Sequence, residues 1–446
     1  MISWDPRALS VLQTLERAGH QAVLVGGCVR DALLGRSPHD YDGATSARPE
    51  EILDVCGRTF RCVPTGLAHG TVTVWSGGLP VEVTTFRREG RYSDHRHPDQ
   101  VIYTSCLGED LARRDFTINA MAWSPSGLID PFGGRGDLHS GLVRCVGDPE
   151  RRFQEDALRV LRGLRLTAQL EFQLEEKTAS ALRRTTPLLA YVAWERIQAE
   201  FLRLLCAPGA GRILEAFPEA VCQVIPELAP AVGFDQKNPH HCRDVYLHCV
   251  KTLEQVRPDP ALRLAALLHD VGKPACFSLD DQGVGHFYGH EGESARQAET
   301  AALRLRLDNR TRERVVTLVS RHGLQIEPTP RVVRRWLQRL GPETFLDLLE
   351  LKRADGMACG PCPLPKDDRI AQAEALARDI LSQHPCLTRQ DLAVNGRDAL
   401  EAGLSGPAIG QALRGILDRV AAGDLPNDRA VLLPLLSKTG NPSIEE

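Results

Sequence analysis

The chain has 446 residues, of which 42% are hydrophobic and 25% charged, a balance that indicates a globular protein of several folding units and excludes a disordered or collagen-like chain. Its net charge of −4 means that any nucleic acid must be bound by a local basic surface. The 13 scattered cysteines favour reduced thiols in a cytoplasmic protein. We expect no membrane span and no secretory signal, because no apolar run approaches about 20 residues.

Strand and helix signals are mixed over residues 1–140, and helical signals dominate from about residue 150. The β-branched runs 71–75 and 81–85 flank a glycine-containing turn, which predicts a hairpin. Further along, leucines recur at helical spacing and prolines punctuate short helices. The sequence therefore predicts an α+β protein, with an N-terminal α/β domain followed by a long helical remainder.

The first predicted strand ends in a glycine pair, Gly26-Gly27, and a predicted helix that contains Arg30 follows. Glycines allow a phosphate to approach the backbone, and the start of a helix offers N–H donors to it. Arg30 could add a fork of donors to the same anion. Such a turn also occurs as a purely structural strand-to-helix connection, so both interpretations remain open for this motif alone.

Two aspartates, Asp40 and Asp42, stand two residues apart, a spacing that places both on one face of a strand. Their carboxylates repel each other unless a cation lies between them, and Mg²⁺ prefers oxygen ligands and phosphates. Close to a phosphate-binding turn, the pair predicts two-metal phosphoryl transfer rather than a polar loop. Glu82, inside a predicted strand, is a candidate third carboxylate or a solvent-facing strand residue.

Two further blocks combine arginines with acidic residues. Arg-Arg-Asp at 113–115 suits a ribose and triphosphate site, or else forms a charged surface. Residues 151–165 have helical periodicity, which predicts a helix with Asp156, Arg159 and Arg162 along one stripe. This stripe could hydrogen-bond the edge of a nucleobase, or could be the salt-bridged face of an ordinary amphipathic helix.

Seven motifs, in their order and spacing, resemble the bacterial (class II) tRNA nucleotidyltransferase and poly(A) polymerase family over roughly residues 20–205. The motifs are Gly26-Gly27-x-Val29-Arg30-Asp31-x-Leu33-Leu34-Gly35, Asp40-x-Asp42, Ala44-Thr45-Ser46-Ala47, the block from Arg113 to Ala122, Asp130-Pro131-Phe132-Gly133-Gly134, Glu155-Asp156-x-x-Arg159 and Glu195-Arg196-Ile197. Because single motifs arise by chance and seven in order do not, we base the functional expectation on the whole set.

The resemblance implies a polymerase-β-like nucleotidyltransferase head followed by an all-helical neck, body and tail. The predicted divisions are 1–140 for the head, 141–210 for the neck with its nucleobase-recognition helix, 211–360 for the body and 365–446 for the tail. The implied activity is template-independent addition of C and A to the 3′ end of tRNA from CTP and ATP, with release of pyrophosphate. A poly(A) polymerase, or an enzyme that adds only A or only CC, shares these motifs and remains an alternative.

Carried over by position, the resemblance implies catalytic Mg²⁺ at Asp40 and Asp42, with Glu82 as the candidate third acidic residue. The implied nucleotide-binding residues are Gly27, Arg30, Arg114, Asp115, Glu155, Asp156, Arg159, Arg162 and Arg165. Among these, Asp156 and Arg159 would pair with the base edge and Glu155 would orient Arg159. The charged segment 87–99 would be a flexible loop that takes part in the switch to A addition.

A second candidate site lies in the helical half, where an apolar helix ends in His269-Asp270-Val271-Gly272-Lys273. This pattern resembles the HD domain of metal-dependent phosphohydrolases, and the body is therefore expected to hold a divalent metal of unknown identity. The ligands that the resemblance implies are His248, His269, Asp270 and Asp355, with His290 and His322 as further candidates. The HD domain could hydrolyse RNA or nucleotides, or it could have a structural or RNA-docking role. For the whole chain, the alternative is a phosphohydrolase whose head only docks RNA.

The tetrapeptide Cys359-Gly360-Pro361-Cys362 matches the active-site sequence of thioredoxin. It follows a predicted helix and precedes two more prolines, whereas the redox motif opens a helix after a strand. We therefore interpret it as a linker turn. The expected partners are tRNA, CTP and ATP, with no membrane, and the sequence does not predict the oligomeric state.

Overall fold

The computed structural model describes residues 4–67, 70–89, 101–238, 242–359 and 368–438, and the chain divides into two compact units, Met1–Ala229 and Pro230–Glu446. The elements of the first unit are α1 (Pro6–Arg17), β1 (Ala22–Val25), α2 (Gly27–Leu33), β2 (Tyr41–Thr45), α3 (Pro49–Gly57), β3 (Arg61–Gly66), β4 (Thr71–Ser76), β5 (Leu79–Thr85), β6 (Arg87–Glu89), β7 (Val101–Tyr103), α4 (Leu107–Ala112), β8 (Ala122–Ser124), β9 (Gly127–Ile129), α5 (Gly134–His139), β10 (Leu142–Val143), α6 (Pro149–Glu155), α7 (Arg159–Leu170), β11 (Gln173–Leu174), α8 (Glu176–Thr185), α9 (Trp194–Leu205), α10 (Ala210–Ala216) and α11 (Pro218–Val224). Those of the second unit are α12 (Val245–Gln255), α13 (Pro260–Leu268), β12 (Ser278–Leu279), β13 (Gly285–His286), α14 (His290–Arg304), α15 (Asn309–Arg321), α16 (Pro330–Leu340), α17 (Pro342–Ala358), α18 (Asp368–Ser382), α19 (Gly396–Glu401), α20 (Pro407–Ala422) and α21 (Arg429–Lys438). The α+β fold class is confirmed, with the larger sheet confined to the first unit.

Seven strands of the described head form one sheet in the order β3-β4-β5-β2-β1-β8-β9. The β2–β5 pair is parallel and every other neighbouring pair is antiparallel. The predicted hairpin is confirmed as β4–β5, whose turn residues Gly77 and Gly78 have φ values of +53° and +82°. Such positive φ angles favour glycine and match the twist that a tight hairpin needs.

The sheet is buried on the side that carries the apolar residues of its central strands. All four residues of β1 are buried, and β5 alternates buried Val81 and Val83 with exposed Glu82. A core of described residues, including Phe86 and Leu111, packs between α4 and the strands β1, β2 and β8. Because strand side chains alternate between faces, Glu82 lies on the opposite face of the sheet from Val81 and Val83.

The charged segment that follows β5 begins as a strand and not as a loop. Residues 87–89 form β6, which pairs antiparallel with β7. This part of the predicted flexible loop is therefore ordered by backbone hydrogen bonds, which its charged composition did not reveal. The rest of that segment, 90–99, lies outside the described residues.

The predicted helix over 151–165 is wrong as one element, because it is two helices. Helix α6 ends at Glu155, Asp156 is extended at φ −141° and ψ 103°, and α7 begins at Arg159. The Asp156 carboxylate accepts a hydrogen bond from the backbone N–H of Leu158 at 3.2 Å, which competes with continuation of the helix. Asp156 therefore lies at the break and not on a common stripe with Arg159.

The second unit is helical apart from the short hairpin β12–β13. Helix α13 is apolar except for Arg263 and is almost entirely buried between α12, α15 and α17. Near the C-terminus, Val394, Leu432 and Leu436 are among the fully buried members of a separate apolar cluster. In the part of the chain that the structure describes, no helix is both long and apolar enough to cross a membrane.

Candidate active site and a second polar cluster

The parallel register of β2 and β5 aligns Asp42 directly with Glu82. Side chains at aligned positions lie on the same face of a sheet, so the two carboxylates are neighbours. Asp40 precedes β2 by one residue and has the same parity as Asp42. Asp40 and Glu82 are exposed and Asp42 is partly buried, so the fold brings the three predicted acidic residues to one solvent-accessible edge of the head.

Burial raises the pKa of the Asp42 carboxyl, and the negative charges of Glu82 and Asp40 add to that rise while Arg114 opposes it. Within the described residues, the Asp42 carboxylate accepts no hydrogen bond from a donor. An added cation would relieve both the repulsion and the loss of hydration. This donor set therefore fits Mg²⁺, which retains waters and substrate phosphates beside a few carboxylates.

Gly26 occupies the turn between β1 and α2 with φ +74° and ψ −134°, a conformation that other residues rarely adopt. A Cβ atom there would lie 3.0 Å from Nη1 of Arg114 and 3.7 Å from Oδ2 of Asp42. The absence of a side chain therefore allows this guanidinium and the carboxylate to approach the same point of the backbone. The turn is part of the acidic site and not only a strand-to-helix connection.

The predicted phosphate-binding Arg30 is turned into the protein and is only 7% exposed. Its Nη1 donates to Oδ1 of Asn119 at 2.8 Å, and its Nε donates to Oδ1 of Asp31 at 2.8 Å. Nδ2 of Asn119 in turn donates to Oδ1 of Asp115 at 3.3 Å. Arg30 thus begins a series of hydrogen bonds that ends at Asp115, the predicted ribose-binding residue. Direct contact of Arg30 with a phosphate remains a prediction.

Arg114 is held by a buried carboxylate that the sequence analysis did not single out. Asp110 is 1% exposed and accepts from Nε of Arg113 at 2.9 Å and from Nη2 of Arg114 at 3.3 Å. Burial alone would raise the pKa of Asp110, but the two arginines hold it below its ordinary value. Asp110, on α4, precedes Arg114 by four residues, and this i,i+4 spacing was the available sequence signal.

Glu155 lies where the sequence analysis expects it, as the orienting partner of Arg159. Nη1 of Arg159 donates to Oε2 of Glu155 at 2.9 Å and to the carbonyl of Arg152 at 3.0 Å. Arg159 is only 7% exposed. The guanidinium is therefore fixed in one orientation before any ligand arrives.

Asp156 has a partner on another helix. Arg196, on α9, donates from Nη2 to Oδ2 of Asp156 at 2.9 Å and from Nη1 to Oδ1 at 3.4 Å. In the sequence, Arg196 is recognisable only as part of a motif, and no local spacing relates it to Asp156. This bidentate contact holds the Asp156 carboxylate at the break between α6 and α7.

Arg162 and Arg165, the last predicted members of this face, each have an acidic partner. Nη2 of Arg162 lies 3.1 Å from Oδ2 of Asp115, and Nε of Arg165 donates to Oε2 of Glu200 at 2.6 Å. Burial alone would raise the pKa of Asp115, but Arg162 and Arg159 hold it below its ordinary value. Asp115 therefore remains ionised and links the head to the start of α7.

In the second unit, the four predicted ligands of the HD pattern converge. Nε2 of His248 lies 3.2 Å from Nε2 of His269 and 2.9 Å from Oδ1 of Asp355. Oδ2 of Asp270 lies 3.4 Å from Nε2 of His248 and 3.3 Å from Nε2 of His269. Ligand atoms of one ion with bonds of about 2.1 Å are expected to be roughly 3.0–3.5 Å apart, so these separations fit a metal.

The two further histidines approach the other oxygen of the same aspartate. Oδ1 of Asp270 lies 3.3 Å from Nε2 of His290 and 3.4 Å from Nε2 of His322, and these two nitrogens are 3.2 Å apart. Among the described residues, groups of three or more such ligands within 4.8 Å of one another occur only in this cluster. Asp270 is therefore shared by two triads, one with His248 and His269 and one with His290 and His322. The head carboxylates form no such close group of ligand atoms among the described residues.

Backbone carbonyls fix the orientation of three of these rings. Nδ1 of His269, His290 and His322 donates to the carbonyl of Ala266, Phe287 and Val319, respectively, at 2.7–2.8 Å. Each Nε2 then presents its lone pair to the centre of the cluster, which is the usual arrangement of a metal-binding histidine.

Two further groups at this cluster were absent from the predicted ligand set. Nζ of Lys273 lies 2.6 Å from Oδ2 of Asp270 and donates to Oε1 of Gln236 at 3.1 Å. Burial alone would raise the pKa of Asp270, but His269 and Lys273 hold it well below its ordinary value. Cys359, the first residue of the Cys-Gly-Pro-Cys sequence, forms a group with His248 and Asp355, and burial raises the pKa of its thiol to about 11. The remainder of that tetrapeptide lies outside the described residues.

Comparisons with known proteins place these features in a family context. A family model described as "Poly A polymerase head domain" matches residues 22–144, one described as "Probable RNA and SrmB- binding site of polymerase A" matches 171–231, and one described as "tRNA nucleotidyltransferase domain 2 putative" matches 292–436. A CCA-adding enzyme of Levilactobacillus brevis is 35% identical over 431 residues, which is 96% of each chain. Another, from Anoxybacillus flavithermus, is 49% identical over 225 residues, so the match spans about half of this chain and 56% of the relative.

The similarity to solved structures extends over the whole chain. The crystal structure of the Bacillus stearothermophilus CCA-adding enzyme in complex with CTP matches with a TM-score of 0.73 at 29% identity, over 98% of this chain and 97% of that chain. Its coverage includes both compact units described above. The similarity therefore extends beyond the head that carries the recognisable motifs.

Proposed function

Because the chain belongs to the family of CCA-adding enzymes, which are tRNA nucleotidyltransferases, we propose that it adds C and A nucleotides to the 3′ end of tRNA from CTP and ATP. The 3′ oxygen of the tRNA forms a bond to the α-phosphorus, the bond from that phosphorus to the bridging oxygen breaks, and pyrophosphate leaves. The observation that carries the proposal is the alignment of Asp42 with Glu82 beside Asp40. A cytoplasmic location accords with this chemistry and is part of the proposal.

Asp40, Asp42 and Glu82 would hold Mg²⁺, which would supply charge stabilisation for the phosphates and a lower pKa for the attacking hydroxyl. The chain's own residues prepare this site before ligands bind. Gly26 leaves the backbone open beside Asp42, and Arg114 contributes a fixed positive charge at the same point. Because Asp110 holds Arg114 in place, little reorientation is needed when an anion arrives.

Nucleotide choice is assigned to the edge formed by Asp156 and Arg159. A carboxylate accepts and a guanidinium donates hydrogen bonds, so the pair can distinguish base edges without a nucleic-acid template. Glu155 and Arg196 fix the orientations of this pair from either side. Discrimination then depends on the rigidity of the edge, since a mobile side chain would adapt to the wrong base.

The test is incubation of the purified chain with Mg²⁺, a labelled tRNA that lacks CCA, and CTP, ATP or both, followed by product sizing at single-nucleotide resolution. We expect two additions with CTP alone and three with both nucleotides. A long ladder with ATP alone would identify a poly(A) polymerase instead. One A added only to a tRNA that ends in CC would identify a partial, A-adding enzyme.

A second candidate function is favoured by the cluster around Asp270. Its two oxygens face two separate pairs of histidine Nε2 atoms, an arrangement suited to two divalent ions joined by one carboxylate. The ions would polarise a phosphate ester and supply an activated water. We infer a metal-dependent phosphohydrolase site, in which the oxygen of water bonds to phosphorus, the ester P–O bond breaks and the departing alcohol takes a proton.

The two functions are separable by substitution. Asp42→Asn should abolish nucleotide addition and leave hydrolysis of a phosphate ester intact, because Asp42 belongs to the first compact unit. Asp270→Asn should have the opposite effect. Hydrolysis that persists in Asp270→Asn would exclude the cluster as its source.

A further inference from the structure

The helices that carry the Asp270 cluster also share a group of charged side chains away from it. Asp347, on α17, is fully buried. Nε of Arg314, on α15, donates to Oδ2 of Asp347 at 2.6 Å, and Nη2 of Arg257 pairs with the other oxygen, Oδ1. Apolar residues of similar size often stabilise such a contact as well as buried charges do, so stability alone does not explain this group.

Arg314 connects three helices through this group. Besides Asp347 on α17, its Nη2 lies 3.3 Å from Oδ1 of Asp259, which is the N-cap of α13. The same Oδ1 accepts a hydrogen bond from the backbone N–H of Leu262 at 2.9 Å, so the arginine is bound to the first turn of α13. A guanidinium is planar and its donors have fixed directions, so these contacts define how α13, α15 and α17 lie along one another.

The same three helices lead to the Asp270 cluster. His322 follows Arg314 by eight residues and is the C-cap of α15, and Asp355 follows Asp347 by eight residues on α17. His269 is the C-cap of α13. Eight residues of helix span about 12 Å. Because the two intervals are equal, a displacement of α15 along α17 at the charged group would move their ligands by the same amount.

A second contact joins α15 to α17 at the ligand end. Nζ of Lys352, on α17, donates to the carbonyl of His322 at 2.6 Å. The two helices are therefore held by directed polar contacts at both ends of the same interval. Metal sites tolerate deviations of only about 0.2 Å in ligand distances, whereas one residue of helix rises about 1.5 Å. A slide of a fraction of one residue would thus separate the ligand atoms.

We propose that Arg314 is a positioning residue for the Asp270 cluster, and that its contacts with Asp347 and Asp259 set the axial register of α13, α15 and α17. The proposal rests on the metal site of the second candidate function and extends that site to residues that touch no ion. Packed apolar helices can slide past one another in small steps. Hydrogen bonds from one guanidinium to two carboxylates restrict that motion, because they weaken steeply when they are misaligned.

The test compares the double variant Arg314→Met/Asp347→Leu with the wild-type chain. Both charges of the pair are removed together, so the variant should stay folded. Arg257 keeps its partner Glu350, and Asp259 keeps its N-cap contact. We expect the Mn²⁺ affinity of the cluster to fall about tenfold or more, as is typical when an outer partner of a metal ligand is lost. The measurement is a titration by electron paramagnetic resonance, from which the ions held by an Asp270→Asn chain are subtracted.

Two controls separate positioning from stability. Arg310→Gln breaks an exposed ion pair with Glu343 between the same helices, α15 and α17, and should leave the ion affinity unchanged. Leu432→Ala truncates a fully buried side chain of the separate apolar cluster near the C-terminus. It should lower the thermal unfolding midpoint and leave the ion affinity unchanged. Equal losses of affinity in Leu432→Ala and the double variant would attribute the effect to stability and overturn the proposal.

A crystal structure of the metal-free double variant supplies a readout that does not depend on ions. The distance from Nε2 of His322 to Oδ1 of Asp270, 3.4 Å here, should change by about 0.5 Å or more, beyond what a metal site tolerates. An unchanged distance would overturn the positioning role. Displaced ligands with wild-type ion affinity would support the register and overturn its importance for ion binding. A wild-type chain that binds no ion would overturn the metal site, and the crystal structure would then decide the register by itself.

Discussion

Arg196 donates from Nη2 to Oδ2 of Asp156 at 2.9 Å, although 40 positions of chain separate the two residues. This contact holds Asp156 at the break between α6 and α7, where its backbone is extended. A recognition carboxylate held from another helix cannot rotate toward a different base edge without losing its partner. Under the proposed function, Arg196 is therefore expected to act as a positioning residue for nucleotide choice.

Arg196→Gln should relax base selection. We expect the preference for CTP and ATP over UTP and GTP to fall about tenfold or more, since one good hydrogen-bonding pair contributes about 1–3 kcal/mol of discrimination. The measurement is kcat/KM for each of the four triphosphates. The control is Arg184→Gln, which removes an exposed ion pair to Glu150 in the same unit. An equal loss with all four triphosphates would reject the positioning role.

Glu82→Gln should lower nucleotide addition by at least about 100-fold, exceeding the 10–100-fold loss typical of a residue that only orients a ligand. The reason is that it removes a charge from the acidic edge while keeping the size of the side chain. Single-turnover addition to tRNA and Mn²⁺ affinity should both decline. Glu50→Gln, an exposed carboxylate at the start of α3, serves as the control. Full activity in Glu82→Gln would reassign Glu82 to the solvent-facing surface of its strand.

Gly26→Ala should abolish nucleotide addition. The new Cβ would contact Nη1 of Arg114 and strain a backbone with positive φ, at a cost of about 1–3 kcal/mol in stability. Gly35→Ala is a matched control, because Gly35 has φ +72° and nothing within 4 Å of its Cβ position. Both variants should lose thermal stability, measured by calorimetry, but only Gly26→Ala should lose activity. Equal activity losses would attribute the effect to backbone strain alone.

The local signals in the sequence were sufficient for part of this site. The hairpin, the glycine turn and the two-residue spacing of Asp40 and Asp42 depend on neighbours in the chain, and their structures follow the expectations. The alignment of Asp42 with Glu82 depends on which strands pair, and composition carries no information on that. The resemblance to a known family supplied the overall architecture, which periodicity alone did not.

The contacts of two polar residues could not be predicted from the sequence, for the same physical reason. Helical periodicity continues through Asp156, whose carboxylate instead accepts from the N–H of Leu158 and from Arg196, 40 positions away. Arg30 is predicted to bind an anion, and its contact with Asn119, 89 positions away, is one that no local pattern indicates. A polar side chain can pair with any of several partners, so tertiary contacts decide its orientation. The burial of an apolar side chain follows more directly from its periodic position in the sequence.

The Asp270 cluster predicts a specific ion stoichiometry. We expect about two divalent ions per chain at this cluster, with His322→Ala losing one, His248→Ala losing the other and Asp270→Asn losing both, because each triad shares only Asp270. We expect the open carboxylate set of the head to hold Mg²⁺ more weakly than the cluster holds its ions, so metal content after dialysis should report on the cluster. His139→Ala, an exposed histidine of the first unit, should change nothing.

A single ion that is lost in all three cluster variants would show one mononuclear site instead of two. The same samples should retain nucleotide addition to tRNA, since the cluster lies in the second compact unit. Loss of that activity in His322→Ala would show that the cluster supports the fold or the RNA complex.

The register of β5 against β2 also has a consequence for how the head folds. A slip of one residue would place Val81 or Val83 beside Asp42 and turn Glu82 into the apolar core, since side chains alternate between faces. Misaligned heads would thus lose core packing together with the acidic edge, and partially folded chains with a functional acidic edge would be rare. Selection for activity at this edge therefore also selects against kinetic traps in the assembly of the sheet.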